Sequence, residues 1–181
     1  MCIRDSLRTL DTCAVSDALD RLQLSGTVIA LRPVSTTRRI AGQIVTVRLG
    51  PAQADLPTRH LCTAAIDAAG ADNVIVVENR VRPDAAGWGG LLSTAASVRK
   101  IAGTIVDGPV RDVDDSRNLD YPVFARSVIP PLNIASGTPT SVGNPLASPT
   151  HTVAFVNSST SQPCAIRMSW LAPTVPIEPN Q

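Results

Sequence analysis

Four consecutive β-branched aliphatic residues, Val74-Ile75-Val76-Val77, constrain the fold of this chain more than any other feature. A run apolar at every position and too short for a helix suits a strand covered on both faces. Such strands belong to parallel sheets with helices packed over them. The flanking sequence agrees. Thr12 can cap a helix in which Val15, Ala18, Leu19 and Leu22 recur at helical spacing. Gln43 to Leu49 alternates and is rich in Val and Ile, as a strand does. Thr58 to Ala69 puts Leu61, Ala64, Ala65 and Ala68 on one helical face, and Gly70 stands where that helix would stop. Leu91 to Lys100 predicts a helix with a small-residue face at Ala95 and Ala96. Thr104-Ile105-Val106 predicts the next strand, Asp114 to Leu119 a short helix, and Pro122 to Ala125 a further strand. The alternation specifies an α/β domain, and no internal repeat interrupts it.

A chain of 181 residues fits one domain. Only 3% of it is aromatic against 44% apolar, so the core must be built from Ala, Val, Leu and Ile. Charge is unevenly spread. Residues 1–127 hold 29 of the 31 charged side chains, whereas 128–181 hold only Arg167 and Glu178, together with nine of the fifteen prolines. Proline-rich, uncharged sequence makes poor helices and interrupts central strands. The expected organisation is therefore a folded domain over 9–130 and a poorly specified tail over 131–181, in which residues 152–156 are the candidate edge strand. The start, Met1-Cys2-Ile3-Arg4-Asp5-Ser6, resembles the translation of a sequencing-library adapter, so 1–8 is expected to be non-native or disordered.

Net charge is +1, with no basic stripe interleaved with aromatics, which argues against nucleic-acid binding through phosphates. No apolar run approaches the roughly 18 residues that span a bilayer, and no signal peptide is indicated, so no membrane partner is expected. Cys2, Cys13, Cys62 and Cys164 have neither metal-ligand nor redox spacing; free thiols in a reducing, cytoplasmic setting are the expectation.

Two segments can carry chemistry, each where a strand ends and a loop begins. Gly87-Trp88-Gly89-Gly90-Leu91-Leu92 opens a helix after the 74–77 strand. Its glycines allow close backbone approach, and free N–H groups at a helix start attract a carboxylate, although glycines before a helix are commonly only a turn. Asp107-Gly108-Pro109-Val110-Arg111-Asp112 follows the 104–106 strand, with Gly108-Pro109 expected to turn tightly. Arg111 is a fork donor suited to a carboxylate, and Asp112 is a hard oxygen ligand suited to Mg²⁺ or Mn²⁺. A local Arg–Asp pair capping the following helix, with Asp114 and Asp115 at its positive end, would account for the same residues.

Taken together, Trp88-Gly89-Gly90-Leu91-Leu92, Gly103 to Asp112 and Tyr121-Pro122-Val123-Phe124-Ala125-Arg126 resemble the RraA-like family, as do Val15 to Asp20 and Ala41 to Arg48. The family includes 4-hydroxy-4-methyl-2-oxoglutarate aldolases that also decarboxylate oxaloacetate. The resemblance implies a three-layer β/β/α sandwich assembled as a homotrimer or hexamer with sites between subunits. It implies that Arg111 binds the carboxylate of a small 2-oxo acid, that Asp112 holds a divalent metal with waters completing the shell, and that Gly89, Gly90, Leu91 and Leu92 offer backbone N–H groups to the substrate. Retro-aldol cleavage and oxaloacetate decarboxylation would then share a pyruvate enolate. The chain departs from the pattern at Gly90 and Leu91, where the typical aldolase has Asp and Asn, so a carboxylate 21 positions before the Arg is absent. Other members bind and inhibit an endoribonuclease without chemistry of their own, which is the alternative. His60 and His151 lack partners at metal spacing, Ser16-Asp17 suits a helix first turn, and Lys100 ends a helix where no Schiff base is suggested.

Overall fold

The computed structural model describes residues 3–24, 27–51, 62–80 and 83–130, and beyond these the backbone of 137–143, 153–156, 164–165 and 175–176. Two helices open the chain, α1 (Ile3–Thr9) and α2 (Thr12–Arg21), followed by the short strands β1 (Thr27–Val28) and β2 (Arg32–Pro33). The body then alternates: β3 (Ile40–Pro51), α3 (Thr63–Ala68), β4 (Val74–Glu78), α4 (Gly90–Val98), β5 (Gly103–Val110), α5 (Val113–Asn118) and β6 (Val123–Val128). Four further strands follow, β7 (Gly137–Gly143), β8 (Val153–Val156), β9 (Cys164–Ala165) and β10 (Val175–Pro176).

The main sheet has the order β10-β7-β3-β4-β5-β6-β2. Its centre, β3 to β6, is parallel throughout, while β7 and β2 flank it antiparallel. Because a strand's side chains alternate faces, the 74–77 run serves two cores at once. Ile75 and Val77 pack with Val45, Val47 and Val106 against Ala65, Ile66, Leu92 and Ala96 of the helices. Val74 and Val76 pack with Ile44, Ile105 and Phe124 on the opposite face, against Leu31 and Val28. Each such aliphatic side chain stabilises the fold by roughly 1.5–3 kcal/mol when fully buried. The second face is roofed by strands: β1, which carries Val28, pairs with β9, and β8 pairs with Ile40–Gln43 of β3. Helices, sheet and roofing strands make the three-layer β/β/α sandwich.

Several local expectations are corrected. Asp11, not Thr12, caps α2, its carboxylate accepting from the Ala14 N–H at 2.7 Å, and Thr12 is buried as the first helical residue. The helix expected from Thr58 is described only from Thr63; residues 52–61, with His60, lie outside the described residues, as do Cys2 and His151. The tight turn at Gly108-Pro109 does not form. Instead β5 stays extended to Val110, and its pairing with β6 shifts register between Val106 and Pro109. A proline lacks the N–H that a ladder needs, and an irregular rung is where that lack is tolerated. Pro139 in β7 likewise sits beside a register shift against β3. The candidate strand at 152–156 forms as β8, over Val153–Val156.

Cys62, fully buried at the start of α3, donates its S–H to the Gly87 carbonyl at 3.5 Å, and burial pushes its pKa up to about 12. Cys13 is exposed. The folded state thus holds the Cys62 proton more tightly than the unfolded state, whose thiol titrates near 9.0. Stability contributed by the neutral thiol is intact below that value and falls as pH rises towards 12. A variant keeping only Cys62 should resist a thiol reagent until urea unfolds it, and replacing Cys62 by Ala should flatten the alkaline loss of stability. Rapid labelling in native buffer would contradict this burial.

Candidate functional site

The two glycine- and arginine-bearing segments converge at the carboxyl ends of β4 and β5. Backbone bonds make the join. Gly87 N–H donates to the Pro109 carbonyl at 2.9 Å, and Arg111 N–H to the Trp88 carbonyl at 3.0 Å. These rungs continue the sheet beyond its last regular residue and lay the 87–89 loop along the end of β5. A Cβ on Gly89 would lie 3.0 Å from Asp112 Oδ2 and 3.2 Å from Arg111 Nε, so a larger residue there would crowd both groups.

Behind the loop, a buried polar chain ties α4 to α5. Trp88 Nε1–H donates to Ser93 Oγ at 2.9 Å, and Ser93 Oγ lies 2.7 Å from Ser116 Oγ. All three residues are nearly inaccessible to solvent, so each hydrogen bond avoids leaving a polar atom unpaired in a low-dielectric core. Asn79, also buried, donates through Nδ2 to the Ala85 carbonyl at 2.7 Å and steadies the start of the loop.

Asp112 occupies a left-handed conformation, φ 51° and ψ 41°, at the junction of β5 and α5. Its carboxylate makes no bond to the first turn of α5, so the capping role the sequence allowed is not what its side chain does. Instead Oδ2 forms an ion pair with Arg111 Nε at 3.1 Å and accepts a long hydrogen bond from Gly90 N–H at 3.4 Å. Among the described residues, Oδ1 and the terminal nitrogens of Arg111 have no partner. Both side chains are partly open to solvent. The arrangement therefore leaves one carboxylate oxygen and the fork of one guanidinium uncommitted, beside the N–H groups that begin α4 and have no intrahelical acceptor. Leu91 contributes backbone only, since its side chain is 72% exposed, while Leu92 is anchored in the core.

Asp115 was not distinguished in the sequence from its neighbour Asp114. Its carboxylate lies where a Cβ on residue 90 would project, with Oδ2 at 2.1 Å from that position. An acidic side chain at 90 would have to displace Asp115. No cluster of three His, Cys, Asp or Glu side chains occurs among the described residues. The oxygen donors that could hold a cation here are those of Asp112, with Asp115 close to the same turn. Hard, sparse oxygen donors suit an ion that keeps most of its water, as Mg²⁺ does, and not one that demands an all-protein cage. Asp107, in the same segment, faces the other side of the sheet. It is buried and paired with Arg80 and Arg126, and its hydrogen bond and charge hold the Arg80 guanidinium above its ordinary pKa.

Comparison with known proteins identifies the family and the fold. A family model described as RraA-like (Aldolase/RraA) matches residues 12–154, a span that includes β7 and reaches β8. Protein DlpA of Legionella pneumophila is 33% identical over 118 residues, 65% of this chain and 19% of DlpA. A Halalkalibacterium halodurans protein, provisionally named 4-hydroxy-4-methyl-2-oxoglutarate aldolase, is 32% identical over 76% of this chain and 60% of its own length. The chain thus spans less than two thirds of either relative. Streptomyces coelicolor RraAS2, described as an unusual member of the RNase ES inhibitor RraA family, superposes with a TM-score of 0.74 at 17% identity, over 92% of this chain and 84% of its own.

The Trp88–Ser93–Ser116 chain makes a test of how the loop is held. Ser116→Ala should lower stability by about 1–3 kcal/mol, because the Ser93 hydroxyl loses a buried partner. Urea unfolding measures it, and an unchanged midpoint would show that the bond does not hold α4 to α5.

Proposed function

We propose, because the chain belongs to the RraA-like family, that it is a divalent-metal-dependent lyase cleaving carbon–carbon bonds of small 2-oxo acids. Its substrates would be 4-hydroxy-4-methyl-2-oxoglutarate-type diacids, oxaloacetate, or both. The observation that carries the reading is the open fork of Arg111 beside an Asp112 carboxylate with one uncommitted oxygen.

Each residue has a distinct task. The terminal nitrogens of Arg111 grip the substrate carboxylate in two places, a geometry that lysine cannot reproduce. Asp112 orients that guanidinium through Nε and would hold the cation, Mg²⁺ or Mn²⁺, with its free oxygen. When bound, the cation supplies Lewis acidity at the 2-oxo group. The N–H groups of Gly90, Leu91 and Leu92, at the positive end of α4, offset negative charge as the pyruvate enolate develops. Both cleavages leave that same enolate, so one arrangement serves both. The homotrimer or hexamer belongs to this proposal. Leu91 and Val98, both exposed on α4 and seven residues apart, are apolar side chains that a second subunit could cover.

A second reading has one observation in its favour. Glycine at 90, with Asp115 packed against it, removes the carboxylate of the typical aldolase, as a non-catalytic protein that binds and inhibits an endoribonuclease would tolerate. Thermal stabilisation by pyruvate with Mg²⁺ separates the two: the enzyme should be stabilised, the nuclease regulator should not.

The direct test is pyruvate release from oxaloacetate with Mg²⁺. Arg111→Ala and Asp112→Ala should each lower kcat/KM by about 10²–10³, the effect of removing one charge-stabilising donor. Equal rates in all three proteins would remove the assignment.

A further inference from the structure

At the opposite end of the parallel strands, about seven residues of β5 or roughly 23 Å from Arg111, lies a cavity of about 380 Å³. The turns that lead into β4, β5 and β6 contribute Asp72, Lys100 and Asp120 to its rim, and Arg8, Arg38 and Arg39 complete it. Its floor is apolar and closed: Ile40, Ile101 and Tyr121 are each at most 4% exposed.

The charges in it do not cancel. Arg8 pairs with Asp72 at 3.1 Å and Arg38 with Asp120 at 3.3 Å. Among the described residues, Arg39 donates only to the carbonyls of Leu10, at 2.8 Å, and Arg8, at 3.3 Å. Carbonyls fix a guanidinium in place without neutralising it. Lys100 has no side-chain partner among the described residues. Among the described residues, two positive charges are therefore gathered without an acidic partner in one concave site of a chain whose total charge is +1. Lys100 also holds a left-handed backbone, φ 58°, just after the last turn of α4, where glycine is the residue normally favoured. The turns before β4 and β6 hold Asp72 and Asp120 in the same conformation, φ 68° and 48°, so the three turns place their charged side chains alike around the cavity.

We propose that this cavity binds a small phosphate monoester, with Arg39 and Lys100 on the phosphate and the ester's body over Ile40, Ile101 and Tyr121. A phosphate monoester carries about −1.5 to −2 charge near neutral pH, which matches the two free cations. The volume falls within the range of small-molecule sites, and the predominantly charged lining suits a charged ligand.

Isothermal titration with ribose 5-phosphate, and with ribose as its uncharged twin, tests the assignment. The phosphate ester should bind and ribose should not. Arg39→Gln and Lys100→Gly should each weaken binding about tenfold, which is 1.4 kcal/mol. Lys100→Gly should at the same time raise Tm, because glycine accepts the left-handed turn without strain. That variant keeps the test valid even if Arg39→Gln, which anchors Leu10, fails to fold. Arg111→Ala should leave the affinity unchanged. Undetectable binding, equal binding by Lys100→Gly, or loss in Arg111→Ala alone would each overturn the proposal, the last by moving the phosphate to the other end of the sheet.

Discussion

Everything in this molecule hangs on β4 being apolar at four successive positions. A strand with water on one face could alternate apolar and polar side chains. Val74-Ile75-Val76-Val77 cannot, so the chain must supply a layer for each side. Helices α3 and α4 supply one, and the 28–31 region with the roofing strands supplies the other. The functional geometry inherits this demand. Because β3 to β6 are parallel, the loops that leave β4 and β5 emerge side by side at one end, which is the only reason residues 87–92 and 111–112 can meet.

The candidate site is held by what surrounds it more than by its own residues. Arg111 and Asp112 bond to each other, but their place is set by two backbone rungs and by the Trp88–Ser93–Ser116 chain beneath them. A buried polar chain of this kind has no slack, since any member that moves leaves another unpaired. Asp112, in turn, is kept in a left-handed conformation by the abrupt change from strand to helix. Such conformations persist where the surroundings over-determine them, and they concentrate at functional sites.

Much of this was legible beforehand, and what was not has physical causes. Periodicity located α2, α4, β4 and β6 because each is long enough, or apolar enough, for its burial pattern to show. Arg111 and Asp112 were also visible as adjacent residues, and the resemblance to the RraA-like family linked them with Gly89 and Gly90. Gly108-Pro109 misled because local preference favours a turn, whereas pairing on both sides holds β5 extended. Strand β7 was hidden for a related reason: the sequence Thr138-Pro139-Thr140 has no apolar alternation, and the strand shows only in its pairing with β3. Ser93 and Ser116 could have been suspected as polar residues at core-facing helical positions, but that they face each other depends on α4 and α5 being neighbours. Asp115 was invisible as a site residue because its relevance is spatial, arising from the missing side chain at Gly90.

Strand β3 has an unusual position in time as well as in space. Its two halves take antiparallel partners from about a hundred residues further along the chain, β7 on Thr46–Pro51 and β8 on Ile40–Gln43. During synthesis, β4, β5 and β6 can assemble against one edge of β3 while its other edge still has no partner. Pairings of such long sequence separation form late, and an uncovered strand edge is a template for the wrong chain. The uncharged, proline-rich stretch that looks least structured is therefore what closes the sheet, and a nascent chain paused before it would be at its most prone to aggregate.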